Sequence, residues 1–158
     1  MAILFLLVCS AAFAKHKHKQ KPQPAGNIKS VSIHHTSCYG RCPSYTIEIF
    51  NDGTAIYTGM RFVPDTGIFQ KNIGIEKAMG IINQFNTYRV DTCQDVYRTR
   101  IPDMPSLIVT VKYTDSTKTI RDANFGPPYL KQLGNLIEQA GMKTDSTWQK
   151  TGMPKSSY

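Results

Sequence analysis

The sequence predicts an α+β domain, an antiparallel sheet of about five strands with two helices packed on one face. Two observations carry this. Short runs of alternating apolar and polar residues recur between Ile28 and Arg121, several of them joined by tight turns, which is the period of half-buried strands. Two further segments, from Ile75 and from Pro127, change to the spacing of a helix with one apolar stripe. The resulting order is strand, hairpin, strand, helix, hairpin, helix, which suits helices layered on one side of an antiparallel sheet.

In Ile28 to Thr36, Ile28, Ser30, Ser32 and His34 share one side of an extended chain, and Val31, Ile33 and His35 share the other. A hairpin follows: Tyr45, Ile47 and Ile49 alternate with Thr46, Glu48 and Phe50, Asn51-Asp52-Gly53 turns the chain, and Ala55, Ile56 and Tyr57 resume it. Gly67 to Ile73 is a further strand. Ile75, Ala78, Met79, Ile82 and Phe85 fall at helical spacing with Glu76 in the first turn. The polar stretch Asn86 to Pro105 is expected to run over the surface, with a short turn around Asp91 to Tyr97. Leu107, Val109 and Val111 alternate with Ile108, Thr110 and Lys112, and Thr114-Asp115-Ser116 leads into a returning strand, Thr117 to Arg121. Pro127 and Pro128 suit a first helical turn; Leu130, Leu133, Leu136, Ile137 and Ala140 form its stripe, and Gly141 ends it.

The domain predicted over 27–148 is flanked by segments of other character. Ile3 to Val8 is apolar, and Ala12-Phe13-Ala14 matches the small-x-small pattern of a signal-peptidase site, so 1–14 is expected to be a cleaved signal and Lys15 the mature start. The run is too short to span a bilayer. A rival reading makes Cys9 a lipid-bearing cysteine; Val8, where such signals carry a small residue, opposes it. Residues 15–26 hold lysine, histidine, glutamine and proline without apolar periodicity and are expected to be a disordered basic tail, with 149–158 a flexible C-terminal one. The expected location is outside the cytoplasm, periplasmic or secreted.

The net charge of +8 suggests nucleic acid or anionic membrane until it is located. Lys15, Lys17, Lys19, Lys21 and Lys155 lie in the flanks, leaving fourteen basic against eleven acidic residues between Asn27 and Lys150, a net of +3. Specific nucleic-acid binding is not expected; the tail offers contact with an envelope protein or an anionic surface. Removal of the signal leaves Cys38, Cys42 and Cys93 in an oxidising compartment. Of the three possible bridges, Cys38 with Cys42 is favoured, because Tyr39-Gly40-Arg41 with Pro43 allows a sharp bend between them. Cys93 is then the odd thiol, expected to be a small buried apolar residue.

The run from Cys38 to Tyr45, followed by Asn51-Asp52-Gly53-Thr54 and Tyr57-Thr58-Gly59, resembles an uncharacterised family of exported bacterial domains, common in Bacteroidetes-type bacteria, with a C-x-G-x-C-P-x-Y signature ahead of a hairpin. The similarity continues through the Gly67 strand, the first helix, the stretch with Asp103 and Pro105, and the last helix. It implies a domain whose function is unknown and carries over no activity.

The residues themselves offer limited chemistry. Cys38 and Cys42 beside Arg41 have one intervening residue too many for the thioredoxin motif and no βαβ context, which favours a structural bridge over redox catalysis. His34 and His35 point to opposite sides of a strand and cannot easily share an ion, and His16 and His18 bind metals only loosely. Asp91, Asp95 and Asp103 have no accompanying nucleophile motif. No catalytic, cofactor or metal residue is therefore assigned. The reading is a non-catalytic interaction module with a candidate loop of Tyr39, Gly40, Arg41, Pro43 and Tyr45; the alternative is a small thiol-redox or hydrolytic envelope enzyme using Cys38, Cys42 or Cys93.

Overall fold

The computed structural model describes residues 28–154, apart from Thr99 and Pro102. The expected signal, Cys9, the basic tail and residues 155–158 lie outside the described residues. Eight strands form one sheet: β1 Ile28–His35, β2 Ser44–Phe50, β3 Thr54–Arg61, β4 Gly67–Asn72, β5 Val96–Tyr97, β6 Leu107–Tyr113, β7 Thr117–Asp122 and β8 Gln149–Gly152. Their order is β5-β7-β6-β1-β2-β3-β4-β8, antiparallel throughout except for β5 with β7. Two helices, α1 Ile75–Thr87 and α2 Pro128–Gly141, complete the α+β fold.

The alternation read from the sequence becomes two faces. Val31, Ile33, Ile47, Ile49, Tyr57, Phe69, Val109, Val111 and Ile120 are buried and pack with Ala78, Ile82 and Phe85 of α1 and Leu130, Leu133 and Ile137 of α2 in a single core. Their strand neighbours Ser32, His34, Thr46, Glu48, Ile56, Thr58 and Thr110 are only half-buried on the opposite face. Each large aliphatic side chain removed from water in this way contributes about 1.5–3 kcal/mol before conformational entropy is counted. Gly141 lies where α2 meets the sheet, and an added Cβ there would run into the Ile47 side chain.

Four expectations change. The sheet has eight strands instead of about five: six match the runs read from the sequence, and β5 with two residues and β8 with four are too short to display a period. The segment 149–158, expected to be flexible throughout, begins inside the sheet as β8, whose approach is held by Asp145: its carboxylate accepts from the Thr147 hydroxyl and backbone N–H and from Lys71. These bonds, that from the Thr147 hydroxyl foremost, draw the Asp145 carboxyl down to about 2. The stretch after α1 does not simply run over the surface, since a 3-10 turn at Val90–Thr92 places Val90 in the core beside Cys93, which is buried as expected. Finally, a bulge between Ile28 and Ser30 turns Ile28 onto the core face, away from the Ser30, Ser32 and His34 side it was expected to share.

Candidate functional site: a disulfide-clasped loop at one end of the sheet

The β1–β2 connection begins and ends on one cross-strand pair, His35 with Tyr45. Between them Cys38 and Cys42 are joined by a disulfide, their Cα atoms 5.6 Å apart. The bridge closes a ring of five residues, and the Gly40 N–H donates toward Cys38 Sγ at 3.3 Å inside it. Tyr39, Gly40, Arg41 and Pro43 face solvent, Tyr39 being 95 % exposed, whereas Tyr45 is buried beneath. The five residues assigned to the loop therefore divide into four that are presented and one that anchors.

The anchor is polar as well as aromatic. The His35 and Tyr45 rings stack with centroids 4.8 Å apart. Both then meet α2 at one atom: the Tyr45 hydroxyl donates to Glu138 Oε1 at 2.5 Å, and His35 Nε2 lies 2.8 Å from the same oxygen. The His35 bond, ahead of the Tyr45 bond, holds the Glu138 carboxyl below its ordinary value, against the opposing effect of partial burial. Burial first, then the bond to Glu138, pushes the Tyr45 phenol up, so Tyr45 stays a donor. Tyr45 continues an aromatic row through Tyr57 to Phe69 across β2, β3 and β4.

A second loop, between β3 and β4, closes over the same end. An added Cβ on Gly59 would collide with the backbone carbonyl of Asp65, so the glycine is what lets this loop fold back against β3. The loop carries Phe62, 45 % exposed and at φ 53°, a left-handed conformation uncommon for a residue with a side chain. Arg41 and Arg61 both lie over the Phe62 ring, their Cζ atoms 5.9 and 5.4 Å from its centroid.

Other residues considered from the sequence do not join this site. His34 projects from the opposite face and shares a hydrogen bond with Thr46 Oγ1 at 2.9 Å; burial lowers its pKa. Asp91 accepts from Arg89 Nε and Nη2, each at 3.0 Å, Asp95 pairs with Lys118 at 2.6 Å, and Asp103 is exposed. Cys93 is a buried free thiol whose Sγ lies 3.2 Å from the Tyr129 hydroxyl. Among the described residues, no three His, Cys, Asp or Glu side chains are grouped to hold a metal ion, and no helix is long and apolar enough to cross a membrane.

Sequence reasoning missed Glu138, Arg61 and Phe62. Glu138 was detectable as a charge in line with Leu130 and Gly134 at four-residue steps, on the edge of an apolar stripe. Arg61-Phe62 carried no periodic signal, because it spans the end of a strand, Arg61 being the last residue of β3.

The model of the family described as Domain of unknown function (DUF6438) matches residues 29–141, and the chain belongs to that family. No curated protein and no solved structure matches it.

Proposed function

We propose that this member of the DUF6438 family is an exported, non-catalytic binding module of the bacterial envelope that presents the Cys38–Cys42 loop to a partner. The observation that carries the reading is the contrast within the loop. Its base is fixed by a disulfide, a stacked ring pair and a carboxylate shared with α2, while its tip directs Tyr39 and Arg41 into solvent. Rigid presentation of exposed aromatic and guanidinium groups lowers the ordering cost of binding. The disulfide also fits an oxidising compartment, in line with the signal read at 1–14.

The test is site-specific photo-crosslinking in cells of the full chain, with a benzophenone amino acid in place of Tyr39 and, as control, of Lys77 on α1. A discrete adduct from position 39, absent from position 77 and lost with Cys42→Ser, is the expected result. Equal labelling from both positions, or none from 39, rejects the reading. The same samples report processing: the exported chain should begin at Lys15.

A further inference from the structure

Arg41 and Arg61 reach Phe62 from different elements, the clasped loop and the end of β3, and both guanidinium groups rest on one ring. Neither forms an ion pair among the described residues. The acid beneath the clasped loop, Glu138, is engaged by His35 and Tyr45, and Asp65, in the loop that carries Phe62, by Lys143 at 3.1 Å. Two like charges gathered on an exposed ring repel each other, and a ring face returns only about 0.5–1 kcal/mol per cation at such a site. The cluster thus concentrates positive charge without an internal anion, beside the 95 % exposed Tyr39.

We infer that Arg41, Phe62 and Arg61 bind the carboxylates of an acidic segment on a protein partner, with Tyr39 covering adjoining apolar surface. The inference rests on the reading of the clasped loop as a binding face and names the chemistry it selects. A guanidinium fork matches a carboxylate with two parallel hydrogen bonds, and the two forks here are held by a disulfide-closed loop and a sheet strand. Tyrosine and arginine are the side chains in which interface energy concentrates. An anionic membrane is a poorer fit, because lipid-binding surfaces gather about four to eight basic residues, each contributing about 1 kcal/mol, where this cluster has two.

The experiment uses the full chain recovered after export and four probes: a peptide of alternating glutamate and leucine, its glutamine counterpart, inorganic phosphate, and vesicles containing phosphatidylglycerol. The glutamate peptide should bind and shift the Nε–H signals of Arg41 and Arg61, and the glutamine peptide should not. R41Q/R61Q should weaken glutamate-peptide binding by about tenfold or more with the thermal midpoint unchanged, and Arg41→Lys should weaken it less. Absence of binding, binding indifferent to R41Q/R61Q, or arginine-dependent binding of phosphate or vesicles at equal strength overturns the inference. The two readings fail separately: a crosslink from position 39 that survives R41Q/R61Q keeps the binding module and removes the acidic partner.

Discussion

The two cysteine-bearing regions among the described residues are built to opposite plans. Around Cys38 and Cys42 the backbone is closed into a small ring, and the side chains it carries, Tyr39 and Arg41, find few partners within the chain. Around Cys93 nearly every polar group is answered. Its Sγ meets the Tyr129 hydroxyl, its carbonyl accepts from Lys118 Nζ at 2.6 Å, and Lys118 also pairs with Asp95. The Gln94 N–H donates to the Tyr97 hydroxyl, and the Tyr88 and Tyr129 rings stack 5.1 Å apart. The bond to Cys93, then burial, pushes the Tyr129 phenol up, so it remains a protonated hydrogen-bonding group. A buried polar group is stabilising only when satisfied, so the second region holds the β5 segment against β7 and α2. The first leaves its capacity for contact unspent and points it outward.

That contrast is open to mutation. The largest effect is expected from Gly59→Ala, which forces the Asp65 carbonyl and the loop bearing Phe62 away from β3. Urea unfolding should show a loss of about 3 kcal/mol, at the upper end for overpacking. An unchanged midpoint would mean that the second loop is not held tightly enough to position Phe62.

Replacing Cys38 and Cys42 together by serine should cost at most about 2 kcal/mol, since so short a loop restrains the unfolded chain little. The sharper readout is hydrogen exchange: amides 37–42 should exchange faster while those of β1 and β6 keep their protection. Tyr129→Phe removes the half-buried hydroxyl that meets the Cys93 thiol and should cost about 1 kcal/mol, leaving exchange in the clasped loop unaltered. If it also loosened that loop, the two regions would not be independent.

The smallest effect concerns pH. The Glu138 carboxyl is held below its ordinary value in the folded chain, chiefly by His35, so the stabilisation it gives is complete above that value and is lost as pH falls through the lower folded one. The unfolding free energy from urea titrations should therefore fall more steeply for the wild type than for Glu138→Gln between roughly pH 5 and pH 3, by less than about 1 kcal/mol for this partly exposed group.

The comparison also explains what the residues disclosed in advance. Strands β1 to β4, β6 and β7 and both helices were legible because each is long enough to show its period, and the Cys38–Cys42 pairing because the intervening glycine and following proline mark a bend. β5 and β8 were not, since they exist only through pairing with β7 and β4. Two residues have no period, and a polar Gln149-Lys150-Thr151-Gly152 reads like a tail. Tyr39 and Arg41 could be assigned to the presented surface from loop position alone. Glu138, Arg61 and Phe62 enter the site through contacts across 93 residues for Tyr45 to Glu138, and through a close approach at Gly59, neither of which is written locally.

The clasp gives the presented loop its shape, and Cys93, buried against the Tyr129 hydroxyl, gives cohesion. Thiol titration of the native chain from Lys15 onward, followed by peptide mapping of the labelled cysteine, measures directly whether either region holds a reactive thiol. The expected result is one free thiol, Cys93, labelled only as fast as the domain opens, and a Cys38–Cys42 bridge that persists throughout. Rapid labelling of Cys93 in the folded protein, or a Cys38–Cys42 pair recovered reduced and immediately reactive, would contradict it and make this region a thiol-redox site.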